Sequence, residues 1–351
     1  MSARPRNFVM LLLALTIASV IGLHAQAPSR TMSSPVGRYA LLLGVSEYPN
    51  GVPGLKGSPA NDVQLMRDAL VNRLGFAARN ILTLTDRKVT RTQVISAIRQ
   101  HLGQAGANDV ALLYFSGHGI QLDESLKPAS SRPKERDQLD EALLMWDASG
   151  ERATYLLDDE LGLLLDELRS RRTIVIVDAC HSGSSTRAVL DDDVRWSSLG
   201  HGAAPRLPFR IDDGPSSFLP KRVLRDDARS VIVPPETLLT MGTSGAQRRH
   251  LLLSAALDGE VALGGPIKMP DGSKKPFGLF TTALHLAIGA STSRTSLDAV
   301  MTSVRRAVSP VARRIQGSPQ TPTATGAWMG ESLQQFFGWP TPATARPRAV
   351  R

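Results

Sequence analysis

Cysteine is nearly absent from this 351-residue sequence, and Cys180 is the one thiol. A single cysteine cannot close an internal disulfide, nor supply the cysteine cluster of a structural zinc site. No H-E-x-x-H pattern offers a histidine-based substitute. Aromatic residues are scarce, at 5% of the chain, so the core must be mainly aliphatic. The densest basic stretch, around Arg305, Arg306, Arg313 and Arg314, has no interleaved aromatics of the kind that stack single-stranded nucleic acid. The net charge of +9 is otherwise scattered and reads as a solvated surface, with no nucleic-acid partner. Internal repeats are missing too. The longest apolar run, 8–23, falls short of the roughly 20 residues of a membrane span, and no second candidate follows.

That run has another reading. Arg4 and Arg6 precede it and Ala25-Gln26-Ala27 follows it, giving the basic, apolar and A-x-A parts of a secretory signal peptide. Residues 1–27 are therefore expected to be removed on export to a bacterial periplasm or the medium, with no stable membrane association afterwards. Retention as an N-terminal anchor is the alternative. Residues 28–37 read as a flexible Ser/Pro-rich lead, 38–338 as one domain, and 339–351 (WPTPATARPRAVR) as a disordered tail.

Within 38–338, short continuous apolar runs alternate with amphipathic stretches. Runs at 39–45 (YALLLGV), 81–84, 110–115 (VALLYF), 173–177 (TIVIV) and 250–256 (HLLLSAA) read as strands. Segments 61–74, 92–102 and 156–168 carry helical spacing, and 279–315 reads as helical with a break at Pro310. Uninterrupted apolar strands are covered on both faces, and strand–helix alternation implies right-handed crossovers between parallel strands. The fold class is α/β: a mostly parallel central sheet flanked by helices on both faces. Segments 122–138 and 184–246 read as loops, the second long enough to be functional.

Two short loops follow buried strands directly. Ser116-Gly117-His118-Gly119 follows VALLYF, and Asp178-Ala179-Cys180-His181-Ser182-Gly183 follows TIVIV. Sites in parallel sheets form at the carboxyl ends of strands. Neighbouring strands would bring His118 and Cys180 into one crevice, with an imidazole to take the thiol proton. Gly117 and Gly119 would allow a sharp turn and close substrate approach. The amide N–H groups of Gly119 and Cys180 would bind a developing oxyanion. For Cys180 the competing readings are an inert buried thiol or half of a metal site with His181.

The segments YALLLGVSEY, GSPANDV, YFSGHG, LDDEL and VDACHSG, in this order, resemble the metacaspases and related bacterial caspase-like peptidases of the caspase superfamily. The resemblance implies a caspase-like fold and a cysteine endopeptidase working through a Cys180–His118 dyad and a thioacyl-enzyme. It implies cleavage after Arg or Lys in peptide or protein substrates, with Asp62, Ser116 and Asp178 forming the pocket, and a monomer. For Asp62, a charge near a helix N-terminus is the plainer reading. Segments 254–256 and 260–262 resemble the groove lining, and Phe280 and Leu284 of the following helix read as core. The dyad needs no cofactor. Calcium is the one ion the resemblance implies, through Asp158, Asp159 and Asp140, yet Arg187 stands where a fourth acid is expected. The long segment 184–246, with Arg187, Arg195, Lys221, Arg222 and Arg225, is a candidate for self-cleavage. The alternative function is a catalytically silent binding or regulatory module on the same fold.

Overall fold

Aliphatic strands that are apolar at every position need cover on both sides, and the chain supplies it from its own helices. The computed structural model describes residues 36–49, 51–123, 139–149, 152–180, 219–221, 250–257, 260–268, 272, 274–326 and 328–338. In chain order the strands are β1 (Arg38–Gly44), β2 (Ile81–Thr85), β3 (Val110–Ser116), β4 (Gly119–Asp123), β5 (Leu139–Leu144), β6 (Tyr155–Leu157), β7 (Arg172–Asp178), β8 (Leu219–Pro220), β9 (His250–Ser254), β10 (Leu263–Lys268), β11 (Lys274–Gly278) and β12 (Thr323–Thr325). The α-helices are α1 (Ser58–Asn72), α2 (Arg91–Gln100), α3 (Asp158–Asp166), α4 (Leu279–Ala290), α5 (Leu297–Gln316) and α6 (Leu333–Phe337).

The main sheet has the order β12-β9-β7-β3-β1-β2. Its central pairs are parallel, and only β12 runs antiparallel, to β9. Alternate side chains of one strand serve opposite layers. Leu42, Leu112, Ile174 and Leu251 face the layer of α1, α4 and α5, whereas Leu41, Leu113, Val175 and Leu252 face that of α2 and α3. Phe280 and Leu284 are buried in the first layer, as expected. The class is the expected one, a mostly parallel central sheet with helices on both faces.

Three local expectations are corrected. Segment 122–138 is strand at its start, where Leu122 and Asp123 end β4 and pair with β5 in a small antiparallel β4–β5–β6 sheet, and 124–138 lie outside the described residues. The helix expected over 156–168 begins at Asp158, since Tyr155–Leu157 pairs with β5. Pro310 lies inside α5 without ending it. Its ring sits on the exposed side, and the opposite side buries Val300, Val304, Val308 and Ala312. That burial outweighs the lost amide bond. Of segment 184–246 only 219–221 is described, and there β8 pairs antiparallel with β10. The leader 1–27, the lead 28–35 and the tail 339–351 lie outside the described residues. No helix among the described residues is long and apolar enough to cross a membrane.

Candidate active site

The parallel register of β3 and β7 sets Ser116 opposite Asp178, so both loops leave the sheet at one level, with His118 and Cys180 each two residues further on. A Cβ built on Gly119 would stand 2.1 Å from the Cys180 carbonyl oxygen. One on Gly117 would stand 2.8 Å from the Tyr48 hydroxyl. Neither glycine has a positive φ; Gly117 sits in the bend against the Phe115 and Tyr48 side chains, and Gly119 is needed because backbone approaches backbone.

His118 is held from several sides. Its amide donates to the Tyr48 hydroxyl at 2.8 Å, and its carbonyl accepts from the Leu144 amide at 3.0 Å. Its Nε2 lies 2.8 Å from the Pro53 carbonyl oxygen. A carbonyl only accepts, so Nε2 carries the proton and the lone pair of the neutral ring lies on Nδ1. That atom is buried with no hydrogen-bond partner among the described residues. Burial pushes the His118 pKa down, partly offset by the Pro53 and Lys221 carbonyls. The Tyr48 ring packs against the imidazole at 5.1 Å between centroids. Asp86 fixes the loop carrying Tyr48 by accepting from the Ser46 amide at 2.7 Å and the Glu47 amide at 3.1 Å.

Cys180 is buried, and its sulfur accepts from the Ala262 amide at 3.2 Å. Its own amide and that of Gly119 both point at one oxygen, the carbonyl of Lys221, at 3.3 and 3.2 Å. The two expected oxyanion donors thus converge on a peptide carbonyl of the chain itself. The Lys221 amide in turn donates to the Ala262 carbonyl at 2.9 Å.

The Lys221 side chain runs into the pocket expected for a basic residue. Its Nζ donates to Asp62 Oδ2 and Ser116 Oγ, each at 2.9 Å, and stands 2.9 Å from Asp178 Oδ1. That last contact pairs by charge rather than by a directed hydrogen bond. The side chains of Lys221, Asp62 and Asp178 are all 0% exposed, so the three charges have no water and must satisfy one another. Burial alone would push the ammonium down; the Asp178 and Asp62 charges together hold it above its ordinary value. Burial pushes Asp62 up, opposed by the Lys221 charge and reinforced by that of Asp178. Asp62 is thus not merely a charge near the start of α1.

Other participants carried no readable sequence signal. Gly278 donates its amide to Asp62 Oδ1 at 2.7 Å, and Thr281 donates its amide and hydroxyl to Asp178 Oδ2 at 3.2 and 2.6 Å. Pro53 acts through a carbonyl, which every residue type has. Tyr48 ends the YALLLGVSEY segment, and an aromatic closing a strand–loop run is the one hint the sequence carries for it.

The acids expected for calcium are less gathered. Asp158 and Asp159 open α3, where the helix N-terminus already favours negative charge. The side chain of Asp140 and the whole of Arg187 lie outside what is described. Among the described residues, no three His, Cys, Asp or Glu side chains gather to hold a metal ion.

A family model described as the caspase domain of peptidase family C14 matches residues 37–329. Metacaspase-1 of Eremothecium gossypii is 30% identical over 179 residues, which is 46% of this chain and 37% of that protein. Metacaspase-9 of Arabidopsis thaliana is 31% identical over 205 residues, 55% of this chain and 58% of that protein. The chain therefore spans less than two thirds of either relative. The crystal structure of protein GSU0716 from Geobacter sulfurreducens superposes with a TM-score of 0.52 at 21% identity, covering 84% of this chain and 97% of the other.

Proposed function

The chain belongs to the caspase domain family, and from that premise we propose that it is a cysteine endopeptidase cutting peptide bonds after a basic residue. One observation carries the reading: a lysine of the chain occupies the site in the manner of a substrate. Its ammonium sits between Asp62 and Asp178, its carbonyl faces the Gly119 and Cys180 amides, and its strand pairs with β10.

The chemistry follows from the atoms present. The Cys180 thiol passes its proton to His118 Nδ1, and sulfur attacks the carbonyl carbon. The resulting oxyanion takes the two amides, a pair that lowers the barrier by about 3 kcal/mol or more per donor when preorganised. Collapse breaks the C–N bond, His118 returns its proton to the leaving amine, and a thioester remains. Water, deprotonated by the same imidazole, then releases the carboxylate and restores the thiol. Asp62, Ser116 and Asp178 hold the basic side chain. No step is routed through calcium. The leader at 1–27 supports export, and the family resemblance supports a monomer.

For this chain the bond so presented is the one between Lys221 and Arg222. Intact-mass spectrometry of the purified protein tests the proposal. Wild type is expected to yield one fragment ending at Lys221 and one beginning at Arg222, while Cys180→Ala stays whole. A wild type that stays whole and leaves fluorogenic lysine and arginine peptides untouched, with or without calcium, would instead make this a silent module.

A further inference from the structure

We infer that the pocket selects lysine over arginine at the residue preceding the cut, an inference that rests on the peptidase reading and narrows it. A guanidinium binds carboxylates best side-on, giving two parallel N–H bonds to the two oxygens of one group. Neither carboxylate here offers two oxygens. Asp62 Oδ1 is taken by the Gly278 amide at 2.7 Å. Asp178 Oδ2 is taken by both donors of Thr281, at 3.2 and 2.6 Å. One oxygen of each faces Nζ, that of Asp62 also accepting from the Ser116 hydroxyl at 2.7 Å, and Ser116 Oγ is the third partner. All three stand 2.9 Å from Nζ. An ammonium donates to Asp62 Oδ2 and Ser116 Oγ and sets its compact charge against Asp178 Oδ1, so it meets this demand.

The walls agree with the charges. An arginine side chain is one atom longer than lysine and ends in a flat fork. A Cβ at Gly278 would lie 2.6 Å from Nζ, and one at Gly264 would lie 3.3 Å from Lys221 Cε, so glycine backbone already touches the lysine. Beyond the carboxylates, the buried Tyr114 hydroxyl bonds Thr281 Oγ1 at 2.6 Å and closes the floor. Entry of a guanidinium would require Thr281 or Gly278 to release its carboxylate, leaving a buried donor without a partner.

Two rates and one binding measurement test this on the full chain. Acetyl-Leu-Pro-Lys and acetyl-Leu-Pro-Arg amides of aminomethylcoumarin copy the 219–221 segment. The lysine peptide is expected to show a kcat/KM at least about tenfold higher. In cis, Lys221→Arg is expected to slow the cut at 221–222 by a similar factor, read by intact mass over time. The third arm needs no catalysis: thermal stabilisation of the Cys180→Ala, Lys221→Ala chain by the two tripeptide amides, with lysine the stronger. Equal or better performance by arginine would overturn the selectivity while leaving the peptidase reading intact. Selective lysine binding without hydrolysis of either peptide would do the reverse.

Discussion

Taking an imidazole out of water makes its protonated form costly, and that cost sets the pH range of the proposed reaction. His118 is 1% exposed, and burial is the largest influence on it, pushing its pKa below the ordinary 6.5. The base must be neutral to accept the thiol proton. A depressed pKa keeps it neutral to lower pH, so activity is present above the depressed value and is lost as pH falls through it. The acid limb of kcat is therefore expected to have its midpoint below pH 6.5. Turnover rather than kcat/KM should be measured, because kcat reports the substrate complex, in which the ammonium has already met Asp62. A midpoint above 6.5 would mean that another group controls the limb. Most of this site was legible residue by residue, since thiol, imidazole and acids each carry their chemistry in their side chains. The Pro53 carbonyl and the Gly278 and Thr281 amides were not, because a main-chain group looks the same in every sequence.

Two adjacent parallel strands deliver His118 and Cys180, and the tightest point between their loops is Gly119 against Cys180. Any side chain there must push the two tips apart, since its Cβ would meet the Cys180 carbonyl at 2.1 Å. Both amides that face the Lys221 carbonyl belong to these two residues. Gly119→Ala is therefore expected to lower kcat on the lysine peptide about 100-fold, the scale of one misplaced oxyanion donor. KM should change little, because the pocket acids lie on α1 and β7, away from the new methyl. Circular dichroism should show a folded protein, and a folded variant with wild-type turnover would remove this role. Five strands of the main sheet were readable because each is a closed apolar run, and their parallel sense followed from the alternation with helices; their order and the short edge strand β12 (TAT) were not, since no residue pattern marks which strands are neighbours. The β4–β5–β6 sheet was not. Its strands are short and flank a charged insert, and Asp140 and Glu141 of β5 break the apolar pattern that marks a strand. Nor did composition reveal that β8, inside a long polar stretch, would pair with β10, because the two residues Leu219 and Pro220 are too few to mark a strand.

At the scale of the whole described unit, its two chain ends are joined by one side chain. Arg38, at the start of the central strand β1, donates to the carbonyls of Phe337 and Gly338 at the end of α6 and to that of Gly75. The same junction packs Phe76 edge-on to Phe337 at 6.1 Å, and a capping box of Ser332 and Gln335 starts α6. Hydrogen bonds from a charged donor contribute about 1.5–3 kcal/mol each, less where partly exposed as here. Arg38→Ala is therefore expected to cost about 2 kcal/mol, lowering Tm by roughly 3 °C for a domain of about 300 residues. The proposed chemistry lies past the other end of β1, six residues and roughly 20 Å along the strand. Packed strands such as Leu41–Leu43 separate the two regions. Turnover per folded molecule should thus equal wild type at temperatures well below the melt. Differential scanning calorimetry paired with the lysine-peptide assay measures both. A lower Tm with unchanged kcat would mark Arg38 as a clasp, whereas parallel losses would mean that closure of the chain ends reaches the dyad through β1.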